Sequence, residues 1–276
     1  MIRGMVIVVV SVSCSERAPD AYDLDFDLPR SETFAPLLSD YALYEEPAAS
    51  LLPAPRVLPY ELSSELFTDY ARKQRLLRVP EGSTVSLVGE SALVFPEGTV
   101  LVKTFYYPDD LRDPDSPRRI LETRLLVKTD GQWNAATYLW NEQQTDATLL
   151  LTGWTTEVDW TDARGQSRST DYVVPHEGEC VTCHQADDAA VFIGPTLANL
   201  NRTVVRGDIE QNQLDYLAAE GVGDVGDPRA KPSVPDYRDE TVPLAERVRA
   251  YLDINCAHCH NPDGWEEATE RELDFR

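Results

Sequence analysis

The chain reads as a multidomain α+β protein: an N-terminal antiparallel β domain of sandwich or barrel type, then mainly α modules, the second of them truncated. Three observations predict this. Short β-branched and aromatic runs recur between turn signals over residues 60–174. After Pro175 the texture becomes helical and loop-rich. The pentapeptide Cys-x-x-Cys-His occurs twice, at 180–184 and 256–260, both in that second part.

Residues 1–14 read as a secretory leader. Arg3 supplies a cationic start, residues 5–12 are nearly all apolar, and Ser13 is small. The apolar run is far shorter than the roughly 20 residues of a membrane-spanning helix. Cys14, directly after Ser13, looks like a bacterial lipoprotein acceptor, although Ser11 stands where leucine is usual. The expectation is export to the periplasm or cell surface, with a membrane anchor through lipid on Cys14. Residues 15–59 are rich in Pro, Ala, Ser and acidic side chains, which predicts a tether and an extended lead-in without a core of its own.

The β domain spans 60–174. Strands are expected over 75–79, 100–107, 121–129, 136–140 and 155–160. Asp130-Gly131 between two apolar runs is a hairpin signal. Asp162-Ala163-Arg164-Gly165 marks another turn. Trp133, Trp140, Trp154 and Trp160 are expected as core and cross-strand packing rather than as a sugar platform.

Two modules follow, over 175–238 and 239–276. A short helix is expected over 212–220, stopped by Gly221. A longer one is expected over 243–255, with Pro243 in its first turn and Leu244, Val248, Tyr251 and Leu252 on one face. Gly221-Val222-Gly223-Asp224-Val225-Gly226 matches Gly-x-Gly-x-x-Gly. It follows a helix instead of a strand, so it is expected to be a loop.

The pentapeptide is the attachment site of a c-type haem. Two thiols add across the haem vinyl groups, and the following histidine binds iron. Cys180, Cys183 and His184 would hold one haem, and Cys256, Cys259 and His260 a second. The chain has five cysteines; four lie in the motifs and the fifth is Cys14. A zinc site could use both cysteine pairs, but would leave the histidine after each pair unexplained. A thioredoxin-like pair should follow a strand in a βαβ unit, and neither does. The modules are therefore expected to be cytochrome c-like, with two covalently attached haem c groups.

In small c-type cytochromes a Gly-Pro-x-Leu segment follows the haem motif. The similar Gly194-Pro195-Thr196-Leu197 implies that the carbonyl before Pro195 accepts a hydrogen bond from His184 and fixes its ring. The two methionines, Met1 and Met5, lie in the leader, so none serves as a distal ligand. His176 is the distal candidate; His258 lies between its own haem cysteines. Only 16 residues follow His260, too few for a complete module, so the second is expected to be cut short.

The formal charge is −23, from 25 basic and 48 acidic residues. Such a surface argues against nucleic acid and suits basic redox partners. Acidity that only maintains solubility would look the same.

Long stretches resemble an uncharacterised bacterial family of exported dihaem c-type cytochromes with an N-terminal β domain. They include Leu66-Phe67-Thr68-Asp69-Tyr70, Phe95-Pro96-Glu97-Gly98-Thr99-Val100 and Tyr138-Leu139-Trp140-Asn141-Glu142. They continue through Ile193-Gly194-Pro195 and Ala250-Tyr251-Leu252-Asp253-Ile254-Asn255-Cys256. The likeness covers roughly residues 55–265 and implies haem and export, but no substrate. Electron transfer is the expected function. The alternatives are a haem enzyme of dihaem-peroxidase type, for which no distal acid/base pair stands out, and a β domain that binds polysaccharide with the haems as accessories.

Overall fold

The computed structural model describes residues 34–176, 184–186, 189–190, 192–261 and 274–275. Its centre is one antiparallel sheet of six strands in the order β1-β2-β5-β6-β7-β8. These are β1 (Leu58–Pro59), β2 (Arg72–Arg78), β5 (Val100–Pro108), β6 (Arg118–Thr129), β7 (Gln132–Trp140) and β8 (Ala147–Leu150). A ribbon of β3 (Ser86–Val88) and β4 (Ala92–Val94) is inserted between β2 and β5. The five expected strands all form, with longer bounds for most. Asp130 and Gly131 both take left-handed backbone, φ 51° and 74°, and Thr129 pairs with Gln132, so the β6–β7 hairpin closes as expected.

Strand alternation divides the side chains between two faces. One face carries Leu76, Val100, Val102, Leu125, Val127 and Tyr138, and residues 34–57 cover it with Leu38, Tyr41, Leu43, Leu51 and Val57. This segment, expected to have no core, thus supplies half of one. Its 3₁₀ turn Leu38–Tyr41 buries Leu38 and Tyr41, and a second, Ala48–Ser50, packs half-buried Ala48 and Ala49 against the same cluster, where the proline content suggested only a tether. Most polar groups in this layer are paired, Gln74 Oε1 being an exception. Tyr44 Oη meets Thr104 Oγ1 at 2.6 Å, Thr104 meets Thr123 at 2.8 Å, and Trp140 Nε1 donates to Thr123 Oγ1 at 3.0 Å.

The opposite face has two covers. At one end lies the hairpin of β9 (Trp154–Thr161) and β10 (Ser167–Val174), which packs Val158, Trp160, Tyr172 and Val174 on Phe105, Tyr107 and Leu121. Trp133, Trp140 and Trp160 are buried and Trp154 half-buried, so the tryptophans serve as packing, as expected. At the other end, residues 192–225 pack Phe192, Leu197, Leu200, Leu214, Leu217 and Val222 on Leu77, Leu101, Leu126 and Trp133. This second cover contains α1 (Leu197–Leu200), the hairpin of β13 (Thr203–Arg206) and β14 (Ile209–Asn212), and α2 (Gln213–Ala219). Between β10 and α1 lies a small ribbon of β11 (Gln185–Ala186) and β12 (Ala189–Ala190). Side-chain amides fasten the second cover. Gln213 accepts from Glu61 N and donates to Glu61 O, and Asn199 does the same with Ser64.

The expected multidomain α+β fold with mainly α, cytochrome c-like modules is overturned. Among the described residues the protein is mainly β, with 36% strand, 17% helix and an antiparallel sheet. The third α-helix among the described residues is α3 (Leu244–Leu252). Helices of 4, 7 and 9 residues are too short to stand without a surface to pack on. The surface they and their neighbours find in residues 192–225 is the sheet. The expected sandwich or barrel is likewise a single sheet covered on both faces, with a small ribbon as only one of its covers. Asn212 caps α2 through Leu214 N, and Gly221 follows it at φ +80°, as the sequence predicts. The Gly-x-Gly-x-x-Gly segment is a loop. At Gly223 any side chain would run into the Val85 carbonyl, which explains a glycine there without a nucleotide.

Candidate functional site

Three rows of side chains cross the second face in register. Leu77, Leu101, Leu126 and Ala135 form one row, beneath residues 192–225. Lys73, Phe105, Glu122 and Leu139 form another, and Phe105 lies beneath the β9–β10 hairpin. Between them runs Arg75, Lys103, Arg124 and Thr137, on β2, β5, β6 and β7. This middle row is the floor of a cavity of about 260 Å³ in the gap between the two covers. The volume is just under the roughly 300–1,000 Å³ of ordinary ligand pockets. Its walls include Pro175 at the end of the hairpin, Phe192 to Pro195 at the start of the second cover, and Tyr60, Leu62 and Leu66.

Three cations side by side repel one another, and carboxylates compensate two of them. Glu122, fully buried, takes Arg124 through two bonds of 2.8 and 2.6 Å and accepts from Tyr172 Oη at 2.6 Å. Glu65 takes Arg75 Nη1 at 2.8 Å and Arg238 Nη2 at 3.0 Å. Burial works to raise the Glu65 carboxyl, but the Arg75 and Arg238 guanidiniums outweigh it and hold it at about 2. Lys103 is different. Among the described residues its amine has no hydrogen-bond or ion-pair partner, and it stands 4.8 Å from the centre of the Phe105 ring. Burial, and then the charges of Arg75, Arg124 and Lys73, push its pKa well below the usual lysine range.

The sequence-predicted residues divide between this cavity and the C-terminal motif. His184 lines the cavity together with Gly194 and Pro195. The Gly194 carbonyl accepts from Thr196 N at 2.8 Å and from Asn199 Nδ2 at 3.1 Å, so both its lone pairs are taken by donors other than His184. His176 is exposed and is not part of the cavity lining, although its neighbour Pro175 is. Cys180 and Cys183 lie outside the described residues, as does Cys14.

The second motif continues α3. A wider turn over Asp253–Ala257 follows the helix, and Cys259 N and His260 N both bond to Cys256 O, at 3.1 and 2.8 Å. Cys256 and Cys259 are therefore three apart on one helical turn, side chains toward one face. Both are half-buried and neither is in a disulfide. His258 Nδ1 and His260 Nδ1 are buried without a hydrogen-bond partner, a costly state for an imidazole. Burial also shifts His258 downward, toward the neutral form. Phe275 closes edge-on to His260 at 5.6 Å. Asn255 Oδ1 accepts from Phe67 N at 2.7 Å and fastens this turn to the segment before β2, and Ile254 reaches the cavity that His184 also lines. Among the described residues, no group of three or more His, Cys, Asp or Glu is gathered as a metal site, and no helix is long and apolar enough to cross a membrane.

Sequence reading missed the cation row. Arg75, Lys103 and Arg124 are far apart along the chain and meet only through strand register. Only Lys103 leaves a local signal, as the single charge within the apolar strand β5; Arg75 and Arg124 lie among other charged residues of β2 and β6.

No family model, curated protein or solved structure matches the chain.

Proposed function

We propose that this protein is an exported dihaem c-type cytochrome that passes electrons in a periplasmic or cell-surface redox chain, anchored by lipid on Cys14. The observation that carries the reading is the repeated Cys-x-x-Cys-His, the neighbourhoods of both copies reaching one cavity through His184 and Ile254. Cys256 and Cys259 on one turn suit two thioether bonds along one porphyrin edge. His260 follows on the same turn and would supply the imidazole for iron, although its buried Nδ1 has no acceptor that would fix the ring. Cys180, Cys183 and His184 would hold the other haem. Bound haem supplies reversible one-electron transfer at iron.

The chain's own residues then do three things. The apolar cavity walls exclude water from the His184 side, which raises the cost of the more highly charged oxidised state. His184 lines a cavity whose floor is a sheet that cannot shift easily, since Glu122, Arg124 and Tyr172 tie it to the β9–β10 hairpin. The surface charge of −23 draws basic partners, with association rates that fall as salt rises.

The test is a pyridine haemochrome spectrum with haem stoichiometry, on protein made with the cytochrome c maturation system. The expected result is two covalent haems per chain, and one each for Cys180→Ser and Cys256→Ser. Retention of two in either variant overturns the attachment assignment. A haem-free protein with tightly bound zinc overturns the reading as a whole.

A further inference from the structure

We propose that Arg75 and Lys103 form a carboxylate-binding site on the floor of the cavity, for an acid group carried on an apolar body. Three observations converge. The Arg75 side chain is only 4% exposed, yet its Nη2 is buried without a hydrogen-bond partner. Its register neighbour Lys103 has no ion-pair or hydrogen-bond partner among the described residues. Among the described residues, Arg75, Lys103 and Arg124 face two carboxylates, Glu65 and Glu122, and Glu65 is shared with Arg238, which leaves at least one positive charge in excess.

A single carboxylate bridging Arg75 Nη2 and Lys103 Nζ would balance that charge and supply both missing acceptors. It would also favour the protonated amine that burial and the neighbouring guanidiniums disfavour. The walls select what carries the acid. Tyr60, Leu62, Leu66, Phe192, Ile193 and Ile254 are apolar or aromatic, so the ligand must bring an apolar body in behind its charge.

Two sources have this chemistry. One is a propionate of a haem held at His184, which lines the same cavity; this source rests on the function proposed above. The other is a free amphipathic carboxylate.

The experiment first counts covalent haems, then applies two readouts to the full chain and its Lys103→Met and Arg75→Gln variants. One is calorimetric titration with dodecanoate; the other is the midpoint potential of each haem. If a propionate fills the site, dodecanoate does not bind the parent protein. Lys103→Met then lowers the potential of one haem and leaves the other unmoved, because a nearby positive charge favours the reduced state, and Lys103→Arg restores it. If a free carboxylate fills it, dodecanoate binds once per chain and loses about tenfold or more in affinity in either variant, with both potentials unmoved. A chain without haem that still binds dodecanoate in a Lys103-dependent way keeps this site and discards the haem reading. No dodecanoate binding together with no potential shift overturns the site. Melting curves establish that each variant is folded.

Discussion

Glu122 shows how much of this fold hangs on single side chains. It is fully buried, it pairs with Arg124 through both oxygens, and it accepts the Tyr172 hydroxyl from the covering hairpin. Glu122→Gln keeps the volume but removes the buried negative charge that faces Arg124, and is expected to cost about 3 kcal/mol in a urea titration; Tyr172→Phe should cost about 1 kcal/mol. Two ionisations illustrate the dependence on pH. Glu65 is held at about 2 in the folded chain against an ordinary 4.5, so its contribution is complete above 4.5 and is lost as pH falls toward 2. Burial, eased by Arg75, raises Tyr60 to about 12 against 10, so its contribution is complete below 10 and is lost as pH rises through 12. Melting temperatures across pH test both; an acid slope between 4.5 and 2 that is unchanged in Glu65→Gln would refute the first. At this scale the Cys-x-x-Cys-His motifs were legible as motifs, since their residues are contiguous. Lys103 and Arg75 were not, because a row across strands exists only once register is set.

At the scale of elements, strands were legible where apolar and β-branched residues concentrate, as in β5 and β6. They were missed where polar residues fill a ribbon, as in β10, whose Ser, Arg, Thr and Asp face outward while Tyr172 and Val174 carry the packing. The β13–β14 hairpin was missed too, although Val204 and Val205 beside Gly207-Asp208 give a turn between two short strands. The helix α3 instructs in the other direction. Its periodicity predicts a buried stripe, yet Leu244, Val248 and Tyr251 are exposed and the turn buries Ala250 and Ile254. Pattern alone reports that a helix has two faces, not which one the rest of the chain meets. Leu244→Ala and Val248→Ala should therefore change stability by no more than about 0.5 kcal/mol, where a buried leucine would cost about 2–5 kcal/mol. Thermal unfolding of the two variants distinguishes these outcomes.

At the scale of the whole molecule, the sequence showed a change of texture near Pro175 and placed a domain boundary there. The structure places a joint between two covers of one sheet at that point. Composition changed because the second cover is built of loops, short helices and one small hairpin, but its apolar residues complete the core instead of starting another. A chain ended at 176 is thus expected to leave Leu77, Leu101, Leu126 and Trp133 bare. It should bind a hydrophobic dye and aggregate, while the full chain does neither; a soluble, dye-silent fragment would make the β region independent after all.

The placement of the second cover also has a consequence in time. On the export route proposed above the chain emerges N-terminus first, so residues 34–140 can complete most of the sheet and its first cover while the opposite face still waits for residues 192–222. Throughout that interval the leucine row and the cation row stand open together, and His184 arrives only just before they close. The order of emergence thus leaves the cavity accessible from the open side until the last moment, and any group destined for its floor can enter in that interval without the finished protein having to reopen.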